Sequence, residues 1–487
     1  MSRYLIFDYG ASSGRAMIAT YDNGKIQMEE IHRFTNDPVV VNGTMYWDIL
    51  RLFFEMKTAI SKAVNNGGFD YIGIDTWGVD FAFVDKDGQL LQNPVHYRDS
   101  RTNDWEELFD IIPRDELYAK TGIQLIPLNT IYQLYAVKKR QPWLFDLADK
   151  IIFIPDLLAY FLTGVKYTEY SMASTTQLLD AKKRTWDKDI LSRLGIPERL
   201  FLPISMAGDF VGTLLPEIQE ELGAPAAKVV RTAGHDTGSA VLATPTQNDD
   251  FVYISCGTWA LLGTEIKEPC MNDLARKYNF ANEGGATGDI RFLKNIMGTW
   301  LLAESRRQWA REGKQYSFGE METLAKTAEP FKCFIDPDDQ MFAPPGNMPR
   351  RIREYCEKTG QRVPETVAEI VRCVDESLAM KFRMCIDQTE EATGKKFPAV
   401  NILGGGVQSA LLCQMTANAA GRRVVAGPIE ATALGNLAMQ LIASGEIADV
   451  KAARKAIEES FDTFYYEAQD SELWNEAYQR FCKVVNK

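Results

Sequence analysis

Histidine is scarce in this chain of 487 residues, with only His32, His96 and His235. The eight cysteines (256, 270, 333, 356, 373, 385, 413 and 482) contain no CxxC pair, so clustered zinc ligands are not expected and a reduced, cytoplasmic chain is. Cys356 and Cys373 bracket Gly360 and Pro364 and could meet across a short turn; in a reducing compartment an obligatory disulfide there is not expected. No apolar run reaches the length of about 18 residues that a membrane span needs. The N-terminus meets Asp8 after a very short apolar stretch, unlike a signal peptide or anchor. Positive charge is in deficit too: the net charge of −12 repels nucleic acid and anionic membranes, so neither is expected as a partner. Any anionic ligand must be held by local groups. The pattern G-x-x-x-x-G-K-[ST] is absent, and Gly394-Lys395-Lys396 lacks the upstream glycine, which excludes a P-loop enzyme. There is no low-complexity segment and no long run of one charge.

With 46% hydrophobic residues, the chain has ample material for buried cores, and its length predicts two large domains or about three smaller ones. Residues 4–7 read as a strand, 8–14 as a turn and 17–21 as a second strand that runs into the hairpin signal Asp22-Asn23-Gly24. Residues 48–65 keep helical spacing behind Asp48 as cap, and 71–75 and 79–84 read as strands. Interleaved strands and helices indicate an α/β fold. Near the middle, Gly234-His235-Asp236-Thr237-Gly238 leads into a short helix, then Pro245 and a polar stretch at 246–250. The expected domains are therefore 1–245 and 246–487. Residues 251–255, 256–258 and 259–263 repeat the opening strand, turn and strand, so two domains of one design are expected. Beyond them, helices are expected near 295–311, 365–394, 409–420 and 431–444, with a glycine turn at Gly404-Gly405-Gly406.

The turn Asp8-x-Gly10-x-Ser12-Ser13-Gly14-Arg15 can point several backbone N–H groups into one concavity, as an anion site requires. Asp8 could hold Mg2+ through water. The alternative is a polar hairpin turn. Gly10 to Gly14 also fits G-x-S-x-G, but a strand-like run follows instead of the helix that a nucleophile elbow needs. Gly257-Thr258 offers a second set of phosphate-facing groups, weak when taken alone. The triple glycine suits close approach of a nucleotide or only a tight turn. Asp236 is either a helix cap or, facing a cleft, a general base for a substrate hydroxyl; His235 orients ligand or backbone. Residues 77–80 and 97–101 mix aromatic, amide and charged groups that suit a polyol or a satisfied structural network.

Taken together, Asp8 to Arg15, Ile72 to Phe81, Tyr97 to Thr102, Gly234 to Thr237, Gly257 to Trp259, Asn282 to Gly285, Leu293 to Gly298 and Leu403 to Gly406 resemble the FGGY carbohydrate kinases over nearly the whole chain. The Trp77, Asn282 to Gly285 and Asn295 segments narrow the resemblance to one branch. It implies two actin-like (ribonuclease H-like) domains with an interdomain catalytic cleft, the first binding sugar and carrying the base, the second binding ATP. By position it implies that Ala11, Ser12, Ser13, Gly14, Arg15 and Thr258 line the ATP phosphates and Gly405 the adenosine. Gly78, His235, Asp236, Thr237 and Asn295 line the sugar, with Asp236 as catalytic base and Asp8 associated with Mg2+. Where the branch commonly has an ATP-contacting glutamine, this chain has Ala303, and that contact is not carried over. The reaction so implied is ATP-dependent phosphorylation of L-rhamnulose at O1, with L-fuculose or L-xylulose as alternative substrates. A non-catalytic sugar sensor is the reading from another class, and the lack of a helix-turn-helix extension or basic patch argues against a regulator. The expected partners are the sugar and ATP, in a monomer or weak homo-oligomer.

Overall fold

The computed structural model describes residues 2–485; Met1, Asn486 and Lys487, where the expected domains begin and end, lie outside the described residues. It divides into two compact units. Unit 1 comprises Met1–Gln247, Glu265–Phe292 and Ala431–Phe461, and unit 2 comprises Asn248–Thr264, Leu293–Glu430 and Asp462–Lys487.

Unit 1 is built on β1 (Arg3–Tyr9), β2 (Ser13–Asp22), β3 (Lys25–Thr35), β4 (Tyr71–Thr76), β5 (Phe210–Thr213) and β6 (Lys228–Val230), in the sheet order β5-β6-β4-β1-β2-β3. The β1 to β3 strands form the expected antiparallel meander, whereas β1 pairs with β4 in parallel. Helix Ile49–Asn65 starts where expected because the Asp48 carboxylate accepts the Arg51 N–H. Its Ile49, Leu52, Met56, Ala59, Ile60 and Ala63 are buried at helical spacing in one core with Leu5, Phe7, Ile72 and Val229. Each large aliphatic side chain so buried contributes about 1.5–3 kcal/mol.

Unit 2 repeats the plan. Its sheet contains β7 (Val252–Cys256), β8 (Trp259–Ile266), β9 (Ile290–Met297), β10 (Ala399–Leu403), β11 (Arg423–Ala426) and β12 (Phe464–Tyr466), ordered β9-β8-β7-β10-β11-β12. Again the first two strands form an antiparallel hairpin, the first pairs in parallel with a later strand, and an antiparallel strand closes the edge. The 27-residue helix Val367–Thr393 is fixed at both ends, by a Thr366/Glu369 capping box and by Gly394 with φ 73°.

Three features differ from the expectations. The first break between units, at Gln247/Asn248, falls two residues from the expected one, but the units are not continuous halves. Helix Ala431–Ser444 packs on β1 and β4, and at Gly435 a Cβ would come within 1.7 Å of the Ser239 carbonyl oxygen. Such backbone contact needs small residues, which is why that helix is rich in them and why this late segment joins unit 1. Second, the helix expected from about residue 295 begins only at Trp300, because Ile290–Met297 is a sheet strand. Third, cysteines do cluster: the sulfurs of Cys333, Cys356 and Cys373 all lie within 4.8 Å of one another, and all three are free thiols. Cys356 and Cys373, which the spacing allowed to meet, do lie together.

Candidate active site

In unit 1, Asp8 lies one residue from the end of β1, opposite Arg15 on β2 and beside Asp75 on β4. Arg15 donates to Asp8 Oδ2 from both Nη2 (2.7 Å) and Nε (3.0 Å). The arginine expected at the ATP phosphates is thus paired with the carboxylate expected near Mg2+. The intervening turn is closed by the Gly10 N–H on the Ser13 carbonyl at 2.9 Å, while Asn36 donates to the carbonyls of Ser12 and Gly10. Of the turn residues only Ser12 is exposed; Ala11 and Ser13 are half-buried. At Gly14 a Cβ would come within 2.2 Å of the Phe34 ring, so packing alone demands that glycine.

Asp75 is fully buried. Its Oδ2 accepts from Asn436 Nδ2 at 2.5 Å, and its Oδ1 has no hydrogen-bond partner. Burial first, then the charges of Asp8 and Asp236, hold its carboxyl well above the usual carboxylate range. An unpartnered carboxylate oxygen among hard oxygen donors that repel one another fits a divalent cation such as Mg2+.

Asp236 opens the short helix Asp236–Leu242, with His235 at the N-cap. The preceding Gly234 runs beside β4, its carbonyl accepting the Thr76 N–H at 2.8 Å. Buried Glu169 anchors this loop: its Oε2 accepts from the Gly234 N–H (3.1 Å) and from Ser171 Oγ (2.5 Å), and Ser171 Oγ accepts the His235 N–H at 3.1 Å. Asp236 Oδ1 accepts from the Thr237 N–H at 2.6 Å and from its hydroxyl at 3.2 Å. The side chain keeps 29% of its surface exposed. Burial raises its pKa, as does the charge of Asp8, and His235 opposes the rise.

Arg291, with no exposed surface, donates from Nη2 to His235 Nδ1 at 3.0 Å and from Nε to the Gly284 carbonyl at 2.9 Å. The same Nη2 lies 3.1 Å from Glu283 Oε2. Nδ1 also stands 3.3 Å from Glu283 Oε2, and Nε2 lies 3.5 Å from Asp236 Oδ1, so the ring sits between two carboxylates with the Arg291 guanidinium beside it. A Cβ on Gly78 would stand 3.1 Å from that Nε2, so glycine leaves the histidine room. The next residue, Val79, has φ 65°, a strained conformation for a β-branched side chain. It is held by its N–H on Thr175 Oγ1 at 3.1 Å and by Thr130 Oγ1 on its carbonyl at 2.5 Å.

The polar clusters around these residues are structural. The Asp80 carboxylate accepts from Trp47 Nε1, Trp77 Nε1, the Tyr97 N–H and Gln133 Nε2, and burial pushes its pKa up to about 6. Asp99 accepts from the Met45 and Arg101 N–H groups. The network alternative therefore holds for Trp77, Asp80 and Asp99. Asn282 likewise clips backbone, donating to the Gly122 and Cys270 carbonyls.

Unit 2 presents a different surface at its hairpin. The Gly257 carbonyl accepts from the N–H (3.0 Å) and hydroxyl (2.8 Å) of Thr299, and the Thr258 carbonyl accepts the Trp300 N–H at 3.2 Å. Thr258 is half-buried. The three glycines after β10 do different things. Gly404 has φ 78°, and Gly406 would drive a Cβ to 2.5 Å from the Cys256 side chain. Gly405 is exposed, and the nearest atom to its would-be Cβ is 4.0 Å away. Only Gly405 offers open backbone to a ligand. Asn295 lies in β9, half-buried. Glu304, next to Ala303, accepts the Gly346 N–H at 2.8 Å and pairs with Arg307.

Unit 1 therefore gathers Asp8, Arg15, Gly78, His235, Asp236 and Thr237, and unit 2 carries Thr258, Asn295 and Gly405. Sequence reasoning missed Asp75, Glu169, Ser171, Arg291 and Asn436. Asp75 stood in the quoted Ile72 to Phe81 stretch, ending a β-run as Asp8 does; the others lie inside helices, strands or short caps with no local signal.

Residues 3–243 match the N-terminal domain, and residues 252–444 the C-terminal domain, of the FGGY family of carbohydrate kinases. The chain belongs to that family. As an FGGY kinase it is a phosphotransferase with an alcohol acceptor and ATP as co-substrate. It is 42% identical over 484 residues to the rhamnulokinase of Bacteroides thetaiotaomicron, covering 99% of each chain. It is 43% identical over 464 residues to that of Oceanobacillus iheyensis, covering 95% of this chain and 97% of the other. Among solved structures, this FGGY kinase is similar to xylulose kinase from Lactobacillus acidophilus, with TM-score 0.81 at 18% identity, covering 100% of this chain and 98% of that one. Plasmodium falciparum glycerol kinase with ADP gives TM-score 0.78 at 15% identity, covering 100% and 98%. The fold is accordingly the expected actin-like one, α/β with two domains. No described helix is long and apolar enough to cross a membrane.

Proposed function

We propose that this kinase transfers the γ-phosphoryl group of ATP to O1 of L-rhamnulose, giving L-rhamnulose 1-phosphate and ADP. Near full-length similarity to rhamnulokinases supports the choice of sugar. The observation that carries the mechanism is Asp236: a carboxylate of raised pKa, still 29% exposed, with His235 Nε2 3.5 Å from its Oδ1. A base of that kind accepts the O1 proton as O1 attacks phosphorus. His235, held between Asp236 and the Arg291–Glu283 pair, orients the carboxylate, and Thr237 occupies the same Oδ1, leaving Oδ2 for the sugar hydroxyl. Gly78, Thr237 and Asn295 complete the sugar contacts.

Phosphoryl transfer needs positioning and charge neutralisation more than covalent chemistry. The Ala11 to Arg15 turn and Thr258 meet the ATP phosphates, and the bare backbone of Gly405 meets the adenosine. Asp8, through water, and Asp75 would hold Mg2+, which when bound supplies positive charge to the phosphates. The division of labour assigns the base and most sugar contacts to unit 1, the adenosine to unit 2 and the phosphates to both. The enzyme acts in the cytoplasm as a monomer or weak homo-oligomer.

The test is ADP release from Mg-ATP with L-rhamnulose, L-fuculose, L-xylulose, glycerol or no sugar. Fast turnover with L-rhamnulose and slow turnover with the others supports the assignment. Preference for another ketose moves the substrate and keeps the chemistry; turnover without sugar overturns the role of Asp236.

A further inference from the structure

The three thiols that the spacing of cysteines conceals form a site outside the proposed kinase machinery. Cys333 lies in a segment between helices, Cys356 on helix Met348–Lys358 and Cys373 on helix Val367–Thr393. All three are buried, at 4%, 0% and 2% exposure, and each offers a sulfur within 4.8 Å of the other two. Sulfurs gathered round one thiophilic ion at metal–sulfur distances of about 2.3 Å stand roughly 4 Å apart. The cluster opens on one side into a pocket, to which Cys333, Cys373, Arg362, Arg372 and Glu376 contribute.

We propose that Cys333, Cys356 and Cys373 form a three-thiolate site for one thiophilic divalent cation of the zinc and cadmium type. Loading exchanges three S–H protons, released to solvent, for three metal–sulfur bonds, with no change of oxidation state. The open side leaves a fourth position for water, since the carboxylates there are engaged. Glu376 accepts from Arg372 and from the Phe331 N–H, and Glu369, also at the pocket, pairs with Arg362 and caps its helix. Among hard and soft donors, a set of thiolates alone selects soft or borderline cations over Mg2+. The cation's own charge drives the deprotonation of the thiols that bind it. The bound ion clips two helices and the segment before them.

The test uses the full chain, reduced with a phosphine, stripped of metal and titrated with Cd2+ while thiolate-to-cadmium charge-transfer absorption is followed. One equivalent saturates the signal. Cys333→Ser, Cys356→Ser and Cys373→Ser each weaken binding by more than about 100-fold, beyond the loss caused by removing a group that only supports a ligand; Cys482→Ser leaves it unchanged. Should a serine variant misfold, the unmodified protein still decides: one equivalent of Cd2+ must shield three thiols from alkylation. A non-saturating signal, a signal indifferent to all three substitutions, or no thiol shielded overturns the site. So does a Cys356–Cys373 disulfide that survives the phosphine.

Discussion

The two units place different chemistry on one frame. In unit 1 the residue just before the last of the first strand is Asp8, its hairpin partner is Arg15 and its parallel neighbour is Asp75. At the corresponding place in unit 2 stand Ser255, Leu261 and Leu403. The parallel strand then runs into Thr76-Trp77-Gly78 in unit 1 and Gly404-Gly405-Gly406 in unit 2. One strand end concentrates carboxylates, and its counterpart is uncharged and stripped of side chains. Charge suits a hydroxyl to be deprotonated and a cation to be held; bare backbone suits a flat base and ribose. Duplication of a fold leaves such division open, because the sheet sets where side chains point and the residues at its end set what they do.

The contrast breaks most deeply at Asp236. Asp236→Asn lowers kcat for L-rhamnulose by about 10^2–10^4-fold, while the KM for ATP stays near its original value in a steady-state assay. Next comes Arg291→Met, which removes the guanidinium that holds the His235 ring in place; kcat falls by up to about 100-fold, again without moving the KM for ATP. A kcat that returns to the parent value once corrected for the folded fraction would mark a role in folding alone.

Asp8→Asn probes the electrostatics. The charge of Asp8 raises the pKa of Asp236, and a base works only when deprotonated, so activity fades as pH falls through that raised value. Removing the charge lowers the pKa. The acid limb of the kcat profile must therefore shift to lower pH, whatever the drop in absolute rate; a shift to higher pH contradicts the coupling.

In unit 2 two adjacent glycines separate binding from packing. Gly405→Ala folds normally and raises the KM for ATP, since its Cβ has space in the protein and none beside a ligand. Gly406→Ala forces the Cys256 side chain aside and costs about 1–3 kcal/mol of stability, read as a lower melting temperature. The smallest effect belongs to Ala303→Gln, which lowers the KM for ATP by the worth of one hydrogen bond, about 0.5–1.5 kcal/mol. Glu304 does not stand in for the missing glutamine, because Gly346 and Arg307 already occupy it.

Much of this was legible before any coordinates. The opening meander, the helix behind Asp48 and the second meander at 251–263 are local patterns of apolar period and turn residues, and they appear as read. The helix near 295 failed because Leu293, Ile296 and Met297 have spacing compatible with either period, and the sheet beside them decided for a strand. The joining of 431–461 to unit 1 rests on Gly435 meeting Ser239 and Gly73 meeting Asn436, contacts between residues far apart in sequence. The same holds in the site. Asp8, His235 and Asp236 stand in recognisable turns, whereas Arg291 acts on His235 from 56 residues away, and Asn436 on Asp75 from 361. The thiol cluster was hidden for the same reason: spacings of 23 and 17 residues show nothing until two helices bring the sulfurs together.

The most direct measurement of the division between units is the equilibrium affinity for ATP of the unsubstituted enzyme, Asp236→Asn and Gly405→Ala, titrated side by side by calorimetry. The account predicts that Asp236→Asn binds ATP like the parent although it barely turns over, and that Gly405→Ala binds it several-fold more weakly. Loss of ATP binding in Asp236→Asn to the same extent as in Gly405→Ala contradicts it.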